Sequence, residues 1–432
     1  MVKASAASER VVPSRLVACL RDLDPPAGGA EMSLATLLAG IAVAGPLAAD
    51  APEYEPCVRD EVVSEDRMRS AWHVDVMQSG DRGEATALTI DRRIHREVSA
   101  LSVEGFLSGA AWRLRSRRTQ RPNKALQRLH LKRRNRAFRR WLTPKLVAAK
   151  RSADEAGGAI LGVTQLDWSA GAAAAFADVG IPWLAFVRDE LQFQHQDIYR
   201  ESIEGAAAVC GAGLGLLEQV GERFAVKRAA HVPLPVDFGG RFGSLEGIVK
   251  AREDGRAARG GATDLDMPRI AIVGVTPEKG AAFYPRLLQA LAADWPEARV
   301  DVHGGGAHAE ALGRFPNATW HGHTPVEQVF VSCDVHLLTV QSTGSWGRVI
   351  NEAGLFGVPS VSIDIGSQGE AVGSGGAILP AGAGVDAWVE VLRNTYNDRE
   401  ALGESARSHA GVIDHRRSIA MFRSLIEDVV TG

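Results

Sequence analysis

Residues 344–361, GSWGRVINEAGLFGVPSV, read as a glycine-rich turn, one helix and the opening of a buried strand, with a single acid, Glu352, inside the helix. VHLLTV (335–340) precedes the turn and PSVSI (359–363) follows the helix. Both read as short strands, so the stretch is one strand–helix–strand crossover of an α/β sheet. Glu352 itself is open to two readings, a solvated helix acid or the anchor of a ligand at the turn.

The same rhythm extends in both directions. RIAIVG (269–274), RVDVH (299–303), ATWHG (318–322) and AILP (377–380) complete one α/β series. An earlier series holds AILGVT (159–164), WLAFV (183–187), AAAVC (206–210) and HVPLP (231–235), preceded by RLVACLRDL (15–23), a glycine turn and a helix over 32–43. Residues 50–100 leave WHVDVM (72–77) and ATALTI (85–90) as strands of open order. The polar, glycine-rich interval 239–267 reads as a linker. The expectation is therefore α/β: two doubly wound, Rossmann-like domains, 1–238 and 268–415, facing a central cleft where such sheets bind ligands. A final helix over 416–432 is positioned to cross back to the first domain.

At 432 residues the chain can bury a large core, and a net charge of −3 calls for no polyionic partner. The charge is unevenly placed. Sixteen Lys or Arg and no Asp or Glu fall between Gly105 and Ala153, with the clusters RSRR (115–118) and KRRNR (132–136). Phe138, Leu142 and Leu146 recur there at spacing four, which predicts a helical insertion over about 105–153. Three readings stand for the basic 113–151 segment: a solvated helix face, a helix lying on an anionic membrane surface, or a surface for an anionic acceptor. No nucleic-acid-binding module accompanies the charge.

Cys19, Cys57, Cys210 and Cys333 are far apart, with no CxxC pair and no histidine at ligand spacing, which suits reduced thiols and no metal site. No long apolar run is present, and the opening MVKASAASERVVPS lacks the pattern of an export signal. A cytoplasmic protein is expected, peripheral at the inner face of the membrane if the basic helix lies on lipid.

Three glycine turns follow strands and precede helices, at 27–31 (AGGAE), 276–281 (TPEKGA) and 343–348 (TGSWGR). Such turns bring backbone N–H groups and a helix N-terminus to an anion. GxxxxGKT, GxxxxGKS and a complete GxGxxG dinucleotide fingerprint are absent.

In order, GGAE (28–31), VPLPVD (232–237), VGVTPEKG (273–280), WHGH (320–323), CDVHLL (333–338) and GSWGRVINEAGLFGVPSV resemble the GT-B fold retaining glycosyltransferases of family 4, glycosyl transferases group 1. The resemblance covers about 15–45 and 158–430 and is densest in the second half. It implies metal-independent transfer of a hexose-type sugar from a nucleoside diphosphate donor, held by the second domain, to an acceptor hydroxyl held by the first, with retention. No cofactor beyond the donor is implied. The acceptor classes are a glycan, a glycolipid or a secondary metabolite.

The resemblance places Lys279 against the donor diphosphate, Glu352 against the ribose hydroxyls, and Gly274, Gly322 and His323 at the donor through their turns. Gly28 and Gly29 fall on the acceptor side. Two departures stand out: Val275 occupies the place of the family's usual arginine, and Gly344 replaces the first acid of its paired-glutamate motif. Arg348 is a candidate substitute cation; four residues from Glu352 on one helix face, it equally suits a plain ion pair. Backbone N–H groups of Ser345, Trp346 and Gly347 are further donor contacts, with the Trp346 ring set to flank the sugar. His321 and His323 are base-side residues or ordinary strand ends. Asp167, Arg188 and Asp189 close strands at the cleft edge, as acceptor-binding or proton-handling groups, or in the case of Asp189 as a helix cap. Two other functions fit the departures: a pseudo-glycosyltransferase or epimerase with an altered donor, and a non-catalytic nucleotide-sugar-binding subunit.

Overall fold

The computed structural model describes residues 14–20, 29–42, 72–78, 95–98, 124–165, 169–187, 196–236, 244–259, 267–277, 279–340, 346–411 and 415–432. The chain builds two parallel sheets. The first runs in the order β3-β2-β1-β4-β5-β6-β7, from β1 (Ser14–Leu20), β2 (Trp72–Gln78), β3 (His95–Val98), β4 (Ile160–Gln165), β5 (Trp183–Val187), β6 (Ala208–Gly211) and β7 (Ala229–His231). The second runs β10-β9-β8-β11-β12-β13, from β8 (Arg269–Val273), β9 (Arg299–His303), β10 (Ala318–Gly322), β11 (Val335–Leu337), β12 (Ser360–Ile363) and β13 (Gly376–Leu379).

The continuous apolar strands follow from helices on both faces. In β1, Val17 and Cys19 meet the Lys124–Ala156 helix through Phe138, Leu142 and Leu146, while Leu16, Ala18 and Leu20 meet Leu34, Leu37 and Leu38 of the Gly29–Ala42 helix. The period-2 geometry of a strand thus divides one apolar run between two cores. WHVDVM is indeed β2, whereas ATALTI lies outside the described residues.

Two expectations are corrected. The interval 239–267 holds a helix, Leu245–Ala257, started by the Ser244 hydroxyl accepting from the Gly247 N–H at 3.1 Å. Ile248 joins a cluster with Ala271, Phe330 and Phe356, and just beyond the helix Arg259 meets Asp334 at 2.9 Å with both side chains 2% exposed. Its glycines and charges read as a linker, yet a cap and one apolar anchor suffice to dock it on the second domain. Second, HVPLP is not a strand: β7 ends at His231, and two prolines without N–H groups cannot continue its ladder.

The His415–Thr431 helix follows the second domain in sequence but packs on the first. Ile419, Phe422, Leu425 and Ile426 enter the core beside Leu34 and Leu37, and Phe422 meets Phe186 edge-on at 5.7 Å. Asp428 accepts from Arg228 at 2.8 Å.

Candidate functional site

In the second sheet β8 is followed by β9 on one side and flanked by β11 on the other, so the strand order reverses between β8 and β11. Crevices at such reversals, outside the carboxyl ends of the strands, are where open α/β sheets bind ligands. The turn after β8 and the chain after β11 both end there.

The first turn carries Lys279. Gly274, at φ 75°, opens it, and a Cβ built on that glycine would lie 3.3 Å from Lys279 Nζ. Gly280, at φ 79°, lies so close to Thr339 that a Cβ would come within 1.9 Å of its hydroxyl oxygen, which accounts for glycine there. The turn is therefore clamped onto the chain leaving β11. Lys279 is half-buried; burial lowers its ammonium from the usual lysine range, and the opposing influence is Glu352. The two residues, far apart in sequence, share one electrostatic environment.

The second turn carries Glu352 and Arg348. Gly347 sits in the left-handed region (φ 75°, ψ 57°) ahead of the Arg348–Leu355 helix. Arg348 Nε lies 3.0 Å from Glu352 Oε1, with side chains 14% and 15% exposed. The plain ion pair therefore forms. Arg348 Nη1 is buried and has no hydrogen-bond partner among the described residues. A cation in the first turn of a helix is opposed by the dipole, and Glu352 offsets that cost. Lys279, Arg348 and Glu352 together leave one net positive charge at the crevice.

Trp346 is a correction. Its ring is 4% exposed, in the core of the second domain, with its indole N–H donating to Asn351 and its centroid 6.4 Å from His231 of the first. The ring is packed into that core and is not open to the crevice, unlike the expected place beside a sugar. Val275, at the usual arginine position, is also a core residue, 5% exposed.

At the far side, Gly322 (φ 70°) ends β10 and His323 is exposed. His321 Nε2 meets Asp301 at 2.7 Å and its ring stacks on His303 at 4.8 Å. Burial, reinforced by His321, drives His303 down to about 4, so it is neutral near pH 7. His321 is thus a partner of Asp301 at the strand end, while Gly322 is half-buried and His323 exposed. On the first domain, Gly29 is the first residue of its helix. Gly28, Asp167, Arg188, Asp189, Gly344 and Ser345 lie outside the described residues.

Sequence reading missed Glu370. Its carboxylate accepts from the N–H groups of Leu214 and Gly215, both at 2.7 Å, so a second-domain acid caps the Leu214–Arg223 helix of the first. Glu370 is 155 and 156 residues from these donors, and no local spacing signals such a contact. Among the described residues no cluster of His, Cys, Asp or Glu could hold a metal, and no helix is long and apolar enough to cross a membrane.

Residues 267–398 match the family model described as Glycosyl transferases group 1. No curated protein matches the chain. Among solved structures, Anabaena HepE in complex with UDP and glucose is similar, with a TM-score of 0.63 and 17% identity over 96% of this chain and 100% of that one. Sucrose-phosphate synthase from Thermosynechococcus elongatus aligns at a TM-score of 0.62 and 15% identity over 96% and 99%. A glycosyltransferase from Rickettsia africae aligns at 0.63 and 9% over 97% and 99%. The chain therefore has the two-domain GT-B fold, and its second domain carries the signature of the glycosyl transferases group 1 family.

Proposed function

We propose that this protein is a glycosyltransferase that moves a hexose-type sugar from a nucleoside diphosphate to an acceptor hydroxyl with retention at the anomeric carbon. The observation that carries the reading is the meeting of Lys279, Arg348 and Glu352 at the strand-order reversal between β8 and β11. Departure of a nucleoside diphosphate develops negative charge on its phosphates. A half-buried ammonium, a guanidinium with an unused N–H and the turn N–H groups ahead of a helix stabilise that charge without reorganising. Glu352, on the same helix, has two oxygens for two vicinal ribose hydroxyls. The UDP and UDP-glucose complexes of Anabaena HepE, on the same fold, support a donor of this class.

The test has two parts. A thermal-shift panel of nucleoside diphosphate sugars identifies the donor by the stabilisation that binding produces, and NMR of the product gives its anomeric configuration. Glu352→Ala is expected to weaken donor binding by roughly 1.5–3 kcal/mol, the worth of a hydrogen bond to a charged group. Unchanged donor affinity in that variant sinks the ribose assignment.

A second reading rests on Val275 and Gly344. A buried valine where the family has a cation, and no side chain where it has an acid, suit an altered donor of the pseudo-glycosyltransferase or epimerase type. Turnover of a non-sugar nucleotide conjugate, with sugar nucleotides inert, favours it. Binding without any turnover favours a non-catalytic subunit instead.

A further inference from the structure

We propose that the outward face of the Lys124–Ala156 helix is a docking surface for the anionic headgroups of a membrane. Its inward face is already used, with Phe138, Leu142, Leu146 and Ala149 buried on the first sheet. Several of its cations are used as well: Arg128 pairs with Asp197, Arg139 with Asp178 and Lys150 with Asp154. Lys132, Arg133, Arg136, Arg140 and Arg151 are different. All five are exposed, and none has an ion-pair partner among the described residues.

At 3.6 residues per turn these five fall on one side of the helix, opposite the buried stripe. Leu129 and Val147, each 42% exposed, lie on that same side, about five turns or roughly 27 Å apart. A row of cations without ion-pair partners among the described residues, running along a helix that holds Pro144 and with an apolar side chain toward each end, fits an anionic plane whose boundary accepts hydrocarbon. A nucleic acid is the poorer match. It would call for an aromatic stacking platform, and Trp141 is instead half-buried on the flank of the helix, stacked on Phe138 at 5.8 Å. With sixteen cations concentrated in 105–153 of a chain whose net charge is −3, the other surfaces are acidic on balance and are repelled by the same plane.

The orientation is also fixed. Ser152 meets Arg15 at the amino end of β1, so the Leu129–Arg133 end of the helix lies toward the carboxyl edge of the first sheet. That edge faces the second domain, as the Glu370 and Trp346 contacts show. Docking therefore sets the mouth of the cleft beside the lipid surface. The surface requires no donor, and its test is independent of the transfer reading.

The experiment is co-sedimentation of the full chain with phosphatidylcholine vesicles with and without phosphatidylglycerol, at low and high salt. Binding is expected only to the anionic vesicles and is expected to weaken with salt. Combined Lys132→Gln, Arg136→Gln and Arg140→Gln should lower the partition coefficient on the order of a hundredfold, and Leu129→Ser with Val147→Ser should weaken binding at high salt. Far-UV circular dichroism checks that the variants fold; if they do not, the lipid and salt dependence of the unmodified chain still decides. Absence of binding, equal binding to neutral vesicles, or preference for a DNA duplex over anionic vesicles overturns the proposal.

Discussion

At the scale of the residue, the site depends on how charge is held where water is scarce. Lys279 is lowered first by burial, with Glu352 acting against that shift. A lysine so lowered loses its charge at a pH below 10.5, and an anionic ligand then loses its partner. Diphosphate affinity is expected to fall on the alkaline side, below the pH at which an ordinary lysine titrates. Lys279→Arg, which stays charged, should remove that limb, as calorimetry across pH would show; identical limbs in both proteins would contradict the role. That Lys279, Gly347 and Glu352 lie at or just after strand-to-helix turns was legible because a turn with its helix is a local pattern, and local patterns are written in consecutive residues. Trp346 was misplaced for the complementary reason. Its fate depends on Asn351, His231 and a core assembled from other strands, none of which the turn itself announces.

Among elements, the most instructive is the Leu214–Arg223 helix. It has Gly213 before it and no side-chain cap of its own, and the missing acceptor arrives from Glu370 across the cleft. Gly213 also allows Ser367 to approach, since a Cβ there would meet its hydroxyl oxygen at 2.0 Å. Glu370→Ala should cost about 0.5–2 kcal/mol, the usual worth of an N-cap, read from urea unfolding, and should enlarge the radius of gyration as the domains part. Glu370→Gln keeps one acceptor oxygen and is expected to fall between. Unchanged stability and size in Glu370→Ala would show the contact to be incidental. The Leu245–Ala257 helix teaches a related lesson: its sequence is polar enough to read as a connection, and the buried Arg259–Asp334 pair that follows it spans 75 residues. In contrast, each strand of the second sheet was recognisable from sequence, because short runs rich in apolar and β-branched residues alternate there with helical segments and turns.

For the whole molecule, the two domains are tied at the cleft by Glu370 and at the back by the final helix. Phe422 is fully buried against Phe186 in the first domain's core although it follows the second domain in the chain. Phe422→Ala is expected to cost about 3–5 kcal/mol, as large-to-small changes at buried aromatics do, and to lower the melting temperature of the first domain. A loss under 1 kcal/mol would show the helix to be loosely seated. The parallel order of both sheets directs their carboxyl edges toward one cleft, and the strand reversal beside β8 selects the place within it. The measurement that bears most directly on this arrangement is a calorimetric titration of the nucleoside diphosphate into the unmodified protein and into Lys279→Met. The account predicts affinity lower in the variant by at least about tenfold, the equivalent of roughly 1.4 kcal/mol; equal affinities would contradict it.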